Sequence, residues 1–389
     1  MAVDLGFLAL NVHGSKRVAG ALTTLAVLAF CYRSFKKGKT NMKTKIKSMG
    51  ILFMIAFSTF CTDRCAAQGQ ARPTPVRDPN DNPKLDIELV DALNTRYGAH
   101  PGFRANHAKG IVVEGTFAPT REAAELSRSP IFAGATLPVT VRFSDASGLP
   151  GLHDAAEVAN PHGMSVKFHL PNGAESDIVA NSLKFFTVAT GEDFRDLQLA
   201  AATSPPGGPK SPQFEAFLKS HPSVEKANAT LGTPDSYADE QYNGIDALIF
   251  VNAAGRKQAF RYIIAPEKIV HLSKEEAEKK SPNYLREDLQ QRLTKGPVTF
   301  HLKAQLAAPG DQTKDPTKAW PPDRKVVDLG KVTITKTVAD SDSVQKKLLF
   351  TPGRLTDGIE LSDDPLLTAR DGSYAESFKR RSAPESADK

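Results

Sequence analysis

The chain has three cysteines, Cys31, Cys61 and Cys65, and none in the rest of its 389 residues. A body without thiols excludes disulfides, thiolate catalysis, cysteine-ligated zinc and iron–sulfur clusters there. A basic excess is the second thing the body lacks. The whole chain carries 50 Lys and Arg against 44 Asp and Glu, but residues 1–68 hold ten of the bases and two of the acids. The remaining 40 bases face 42 acids, which leaves a nucleic-acid partner without electrostatic support. No internal repeat is evident.

The basic N-terminus has the order of a targeting segment. Lys43, Lys45 and Lys47 precede an apolar run over 50–60, and the small residues Cys65, Ala66 and Ala67 follow. This predicts a secretory signal peptide over 42–67, cleaved after Ala67. The run is short for a membrane span, and Phe60 and Arg64 before the cysteines argue against a lipoprotein. Upstream, the apolar stretch 18–31 has basic flanks. Residues 1–41 are therefore either a membrane anchor or a start-site artefact ahead of Met42, the second being the simpler reading. The expected location is exported, periplasmic or secreted, with membrane contact through the targeting segment alone. Residues 68–84 read as a linker, 85–381 as one folded domain and 382–389 as a disordered tail.

Within 85–381 alternation dominates. Leu137, Val139, Val141 and Phe143 alternate with Pro138, Thr140 and Arg142; Met164, Val166 and Phe168 alternate with Ser165, Lys167 and His169. Val298, Phe300, Leu302, Ala304 and Leu306 do the same, and 111–117 and 326–335 add strands. Segments 247–252 and 258–264 read as a hairpin turning at Gly255. Helices are expected near 85–98, 192–201, 213–221 and 366–381, with a capping box at Ser273 and Glu276 opening another. The fold class is α+β: a closed antiparallel β-barrel of about eight strands with flanking helices, since closure removes exposed edges.

Three places hold polar residues that a plain barrel does not need: Arg104 with His107, Arg142 with Ser144, and Arg370 with Tyr374 and Arg381. Singly, each reads as packing or surface pairing. In this order they resemble the catalase family. The stretch Arg104 to Gly110 matches R-x-x-H-A-K-G, and Val141 to Ser144 matches V-R-F-S. Pro161, Gly163, Val166, Lys167 and Phe168 form the family's P-x-G strand. Asn181 with Phe185 and Phe186, then Asp315 to Thr317 with Trp320 and Pro321, match further segments. Phe350, Pro352, Gly358, Ile359 and Ser362 lead to A-R-x-x-x-Y as Ala369, Arg370 and Tyr374.

The resemblance implies a haem cofactor, b type, with Tyr374 as the iron ligand and Arg370 promoting its ionisation. It implies His107 as acid–base catalyst, Ser144 orienting it and Asn181 holding peroxide. Arg104, Arg142 and Arg381 would bind the propionates, and Phe143 and Phe194 would pack on the porphyrin. The chain departs from the family pattern at Ala146, Asn160, His162 and Asn106, and it lacks the long C-terminal region of large catalases. These departures predict a peroxidase using peroxide and a small organic electron donor, with weak catalase activity, like the catalase-related peroxidases of bacteria. A homo-oligomer is compatible with this. Alternatives are a fatty-acid hydroperoxide-converting enzyme of the same fold, a haem carrier or sensor without turnover and, as the least favoured, a metal-binding barrel using His153, His162 and His169.

Overall fold

A computed structural model of the protein describes residues 82–205 and 207–383. The expected signal peptide, the segment before it, most of the linker and the end of the tail lie outside the described residues. Helix α1 (Pro83–Tyr97) starts inside the stretch read as linker, because the Asn82 side chain accepts from the Leu85 amide at 3.2 Å and Pro83 occupies the first turn. Strand β1 (Gly110–Pro119) is followed by α2 (Arg121–Leu126), β2 (Leu137–Ser144), β3 (Gly163–His169) and β4 (Glu175–Asn181). Helices α3 (Gly191–Ala202), α4 (Pro212–Ser220) and α5 (Ser223–Asn228) come next, then β5 (Thr233–Pro234), β6 (Tyr242–Asn243), β7 (Leu248–Val251), β8 (Lys257–Pro266) and β9 (His271–Leu272). The chain continues through α6 (Lys274–Ala277), α7 (Tyr284–Lys295), β10 (Val298–Leu306), β11 (Val326–Thr337), α8 (Ser341–Lys347) and β12 (Ile359–Leu361) to α9 (Pro365–Ser382).

The strands run in the order β10-β11-β1-β2-β3-β4-β6-β8, and β8 pairs back onto β10, so eight strands close an antiparallel barrel. Strands β7 and β12 extend the sheet from β8, and β5 pairs with β9 in a separate short ladder. The alternation seen in the sequence has its physical counterpart inside. Phe117, Phe143, Phe168, Phe260 and Phe300 are fully buried with Tyr237 and Tyr242, and Phe117 meets Phe168 edge-on at 5.2 Å. Helices α1 and α3 pack on each other beside α9. Among the described residues, no helix is long and apolar enough to cross a membrane.

Two expectations change here. The capping box at Ser273 and Glu276 is present, yet the helix it opens stops after Ala277. Strand β4, which alternation does not announce, carries Asp177 buried against Lys167 at 2.7 Å and Arg354 at 2.8 Å. This buried ion triad ties β3 and β4 to the segment leading into α9, and Asp177 also accepts from the Thr351 amide at 3.0 Å.

Candidate active site

The site is built on one cross-strand row. Gly110 of β1 stands opposite Ser144 of β2, Ser144 opposite Gly163 of β3, Gly163 opposite Asn181 of β4, and Asn181 opposite Asn243 of β6. Residues directly opposed in a ladder share a face, so the Ser144 and Asn181 side chains emerge on the same side with glycine between them. His107 lies over that glycine. Its backbone takes a left-handed conformation, φ 57°, and its Nδ1 sits 3.1 Å from Ser144 Oγ. The ring thus occupies space that a side chain on Gly163 would need.

His107 is neutral over the ordinary pH range. Burial pushes its pKa down to about 3, and the charges of Arg142, Arg104 and Arg370 act in the same direction. With Nδ1 engaged by Ser144, Nε2 is the nitrogen available for proton exchange. Asn181 Oδ1 accepts from the Leu183 amide at 2.9 Å, which leaves the side-chain NH2 as the free end of the amide.

Behind His107 stand three guanidiniums. Arg142 Nη2 donates to the His107 carbonyl at 2.8 Å and Nε to Gln345 Oε1 at 3.0 Å. Arg104 and Arg381 both donate to the Leu348 carbonyl, at 2.8 and 2.7 Å. Among the described residues, no carboxylate forms an ion pair with any of them. Burial lowers the pKa of all three, to about 10 for Arg142 and about 9 for Arg381, and their mutual repulsion further lowers Arg104 and Arg381. A trio of enclosed cations with no carboxylate paired to any of them is the donor set for an anion with more than one carboxylate. The residues present therefore fit the propionates of a haem.

On α9, Arg370 and Tyr374 meet as the four-residue spacing predicts, with Arg370 Nη2 donating to Tyr374 Oη at 3.3 Å. The other arm of Arg370 pairs with Asp246. Burial opposes the Arg370 charge, but Asp246 and Tyr374 hold its pKa above the ordinary value. Asp246, on the link between β6 and β7, was not singled out in the sequence; its signal is an isolated acid between apolar residues. The His107 loop and α9 are joined directly, because the Ala105 amide donates to Ser377 Oγ at 3.2 Å.

Two expected contacts need separate treatment. Phe143 was expected on the porphyrin, but it faces away from Ser144 into the barrel, stacked on Tyr237 at 5.3 Å. Strand alternation makes it a core residue. Phe194 lies on α3, stacks on Phe186 at 5.7 Å and packs against Leu85, Leu89 and Ala369 of α1 and α9. The histidines of the metal-barrel alternative do not converge: His153 contacts the Lys280 carbonyl, His162 lies 3.6 Å from Asp145 and His169 contacts Thr140. Among the described residues, no group of three His, Cys, Asp or Glu could hold a metal ion. Three of the four departures end in buried polar atoms that make no hydrogen bond, namely Asn106 Oδ1, Asn160 Oδ1 and both ring nitrogens of His162.

Comparison with known proteins gives the family and the fold. The Catalase family model matches residues 86–387. A catalase-related peroxidase of Mycolicibacterium paratuberculosis is 38% identical over 299 residues, covering 76% of this chain and 94% of that protein. A catalase-related peroxidase of Synechococcus elongatus is 33% identical, covering 76% of this chain and 88% of its own. Among solved structures, a bacterial catalase superposes with a TM-score of 0.66 at 24% identity, over 80% of this chain and 63% of that one, a likeness of fold. The chain belongs to the catalase family, and within it to the catalase-related peroxidases.

Proposed function

We propose that the chain is an exported haem peroxidase that reduces hydrogen peroxide or organic peroxides at the expense of a small organic donor. The observation that carries this reading is the set of three enclosed guanidiniums with no ion-paired carboxylate, one of which, Arg142, donates to the His107 carbonyl. Arg104, Arg142 and Arg381 would hold the haem propionates. Tyr374 would ligate the iron through its oxygen, to which Arg370 Nη2 donates.

Haem bound there would supply an iron able to take two oxidising equivalents from peroxide. The neutral imidazole of His107 takes a proton at Nε2 from one peroxide oxygen and returns it to the other, which departs as water from hydrogen peroxide or as an alcohol from an organic peroxide. Ser144 fixes the ring for both transfers. The Asn181 NH2 donates to peroxide and keeps it within reach of His107. Reduction by an organic donor over fast disproportionation is supported by the likeness to two catalase-related peroxidases.

The test is the absorption spectrum of the purified protein, followed by dye oxidation and oxygen release under the same conditions. The proposal expects a ferric tyrosinate haem and dye oxidation that outpaces oxygen release. A haem-free protein, or rapid oxygen release without a donor, overturns it. Turnover of fatty-acid hydroperoxides without any donor would favour the isomerase-like alternative.

A further inference from the structure

We propose that Asn243 is a positioning residue for Asn181: by holding the Leu183 carbonyl it decides which end of the Asn181 amide faces the peroxide. This rests on the haem peroxidase reading above and deepens it. Asn243 ends the cross-strand row, directly opposite Asn181, and is buried. The two side chains therefore lie on one face, and both bind the same residue. Asn181 Oδ1 accepts from the Leu183 amide at 2.9 Å, and Asn243 Nδ2 donates to the Leu183 carbonyl at 3.0 Å.

A backbone N–H can only donate and a backbone carbonyl can only accept, so Leu183 fixes the sense of both side-chain amides. Asn181 must turn its oxygen to Leu183, which sends its NH2 the other way. Asn243 must turn its NH2 to Leu183, and its oxygen is braced by Gln241, whose Nε2 donates to it at 3.0 Å.

The backbone alone holds this corner weakly. Strand β4 meets β3 through seven opposed pairs but meets β6 through the single pair Asn181 and Asn243, and β6 meets β8 through two. Strand β4 ends at Asn181, so Leu183 lies beyond the ladder. Its side chain packs with Ala227 and Ile245, which fixes where the residue sits but not how its peptide groups turn. Without the Asn243 amide a buried carbonyl loses its partner, which costs more than a hydrogen bond exchanged with water, and the segment turns to repair the loss. That turn takes the Leu183 amide off Asn181 Oδ1. Asn181 is then free to present its oxygen to the peroxide, where it competes with His107 Nε2 for the proton instead of donating.

Two measurements on the full chain test this. Hydrogen exchange, which needs no haem, should show the Leu183 amide exchanging about fivefold faster or more in Asn243→Ala, as in Asn181→Ala. The Ser182 amide, which donates to the His162 carbonyl at 2.9 Å, should exchange as in the wild type. In the haem-loaded protein the probes are hydrogen peroxide and fluoride, a small anion that accepts a hydrogen bond in place of peroxide. Asn243→Ala should slow the peroxide reaction and weaken fluoride binding, each by about fivefold, with the KM for the organic donor unchanged. Adding Asn243→Ala to Asn181→Ala should change neither quantity further. Unchanged exchange at Leu183 overturns the clamp, and losses that add in the double variant make Asn243 a structural residue and overturn its action through Asn181. If Asn243→Ala does not fold, Gln241→Ala frees the Asn243 oxygen and is read in the same way: faster Leu183 exchange supports the proposal, and wild-type exchange overturns it. A chain that takes up no haem would end the preceding proposal, while the exchange measurement still decides the clamp.

Discussion

The His107 ring fills the space that a side chain on Gly163 would take: a Cβ at Gly163 would lie 3.2 Å from His107 Nδ1 and Cε1 and 2.9 Å from Ser144 Oγ. Gly163→Ala should push the imidazole off Ser144 while the β2–β3 ladder survives. Peroxidase kcat/KM should fall by about tenfold or more, because small misplacements of a catalytic group carry large rate costs. Far-ultraviolet circular dichroism and haem content should be unchanged. Full activity in this variant would show that the ring position is not what turnover depends on.

His107→Ala and Ser144→Ala separate the catalyst from the group that orients it. The first should cost roughly 10²–10⁴ in turnover, the range for loss of a positioned acid–base group. The second removes one hydrogen bond worth about 1 kcal/mol, so a loss of about fivefold is expected. Both should keep the haem absorption spectrum, which steady-state kinetics and spectroscopy on the same samples will reveal.

Arg381→Leu should move stability in opposite directions with and without cofactor. Without haem, removing one of three mutually repelling buried cations relieves a burden, so Tm should hold or rise. With haem, a propionate partner is lost, so affinity and the stabilisation it brings should fall. Paired melting curves check this, and a drop of equal size in both states would make Arg381 a structural residue.

The pH dependence follows from the lowered pKa of His107. Its folded value of about 3 lies below the ordinary 6.5, so the unfolded chain binds the proton first as pH falls. Stability from this group is intact above about 6.5 and is lost progressively from there down to about 3. The imidazole remains a free base in the folded enzyme throughout that window. Turnover at pH 5 should therefore show no acid limb from His107, and a kcat/KM titration near 6.5 that vanishes in His107→Gln would contradict this.

Much of the barrel was legible because strands half-buried on one face print their burial as alternation. Strands β2, β3 and β10 are the clear cases. Strand β4 was not legible, since Asp177 looks like a surface residue until Lys167 and Arg354 are seen to neutralise it. Helix α7 escaped for a related reason: it buries Tyr284, Leu285 and Leu289 within a largely polar sequence. At the site, the Arg370–Tyr374 spacing was readable as one face of a helix. Asp246 was not, because it reaches Arg370 across a separation of 124 residues. Phe143 was misplaced by following a motif where strand parity would have turned it inward.

The row from Gly110 to Asn243 gathers its members from five strands, so the site exists only when all five pair correctly. A slip of one residue in β2 would turn Ser144 into the barrel and bring Phe143 out beneath His107. In a closed barrel such a slip in one strand must be absorbed by every other strand, because stagger and circumference are linked. Assembly of the barrel therefore proofreads the active site: a chain that closes in the wrong register misplaces its catalytic row along with its core.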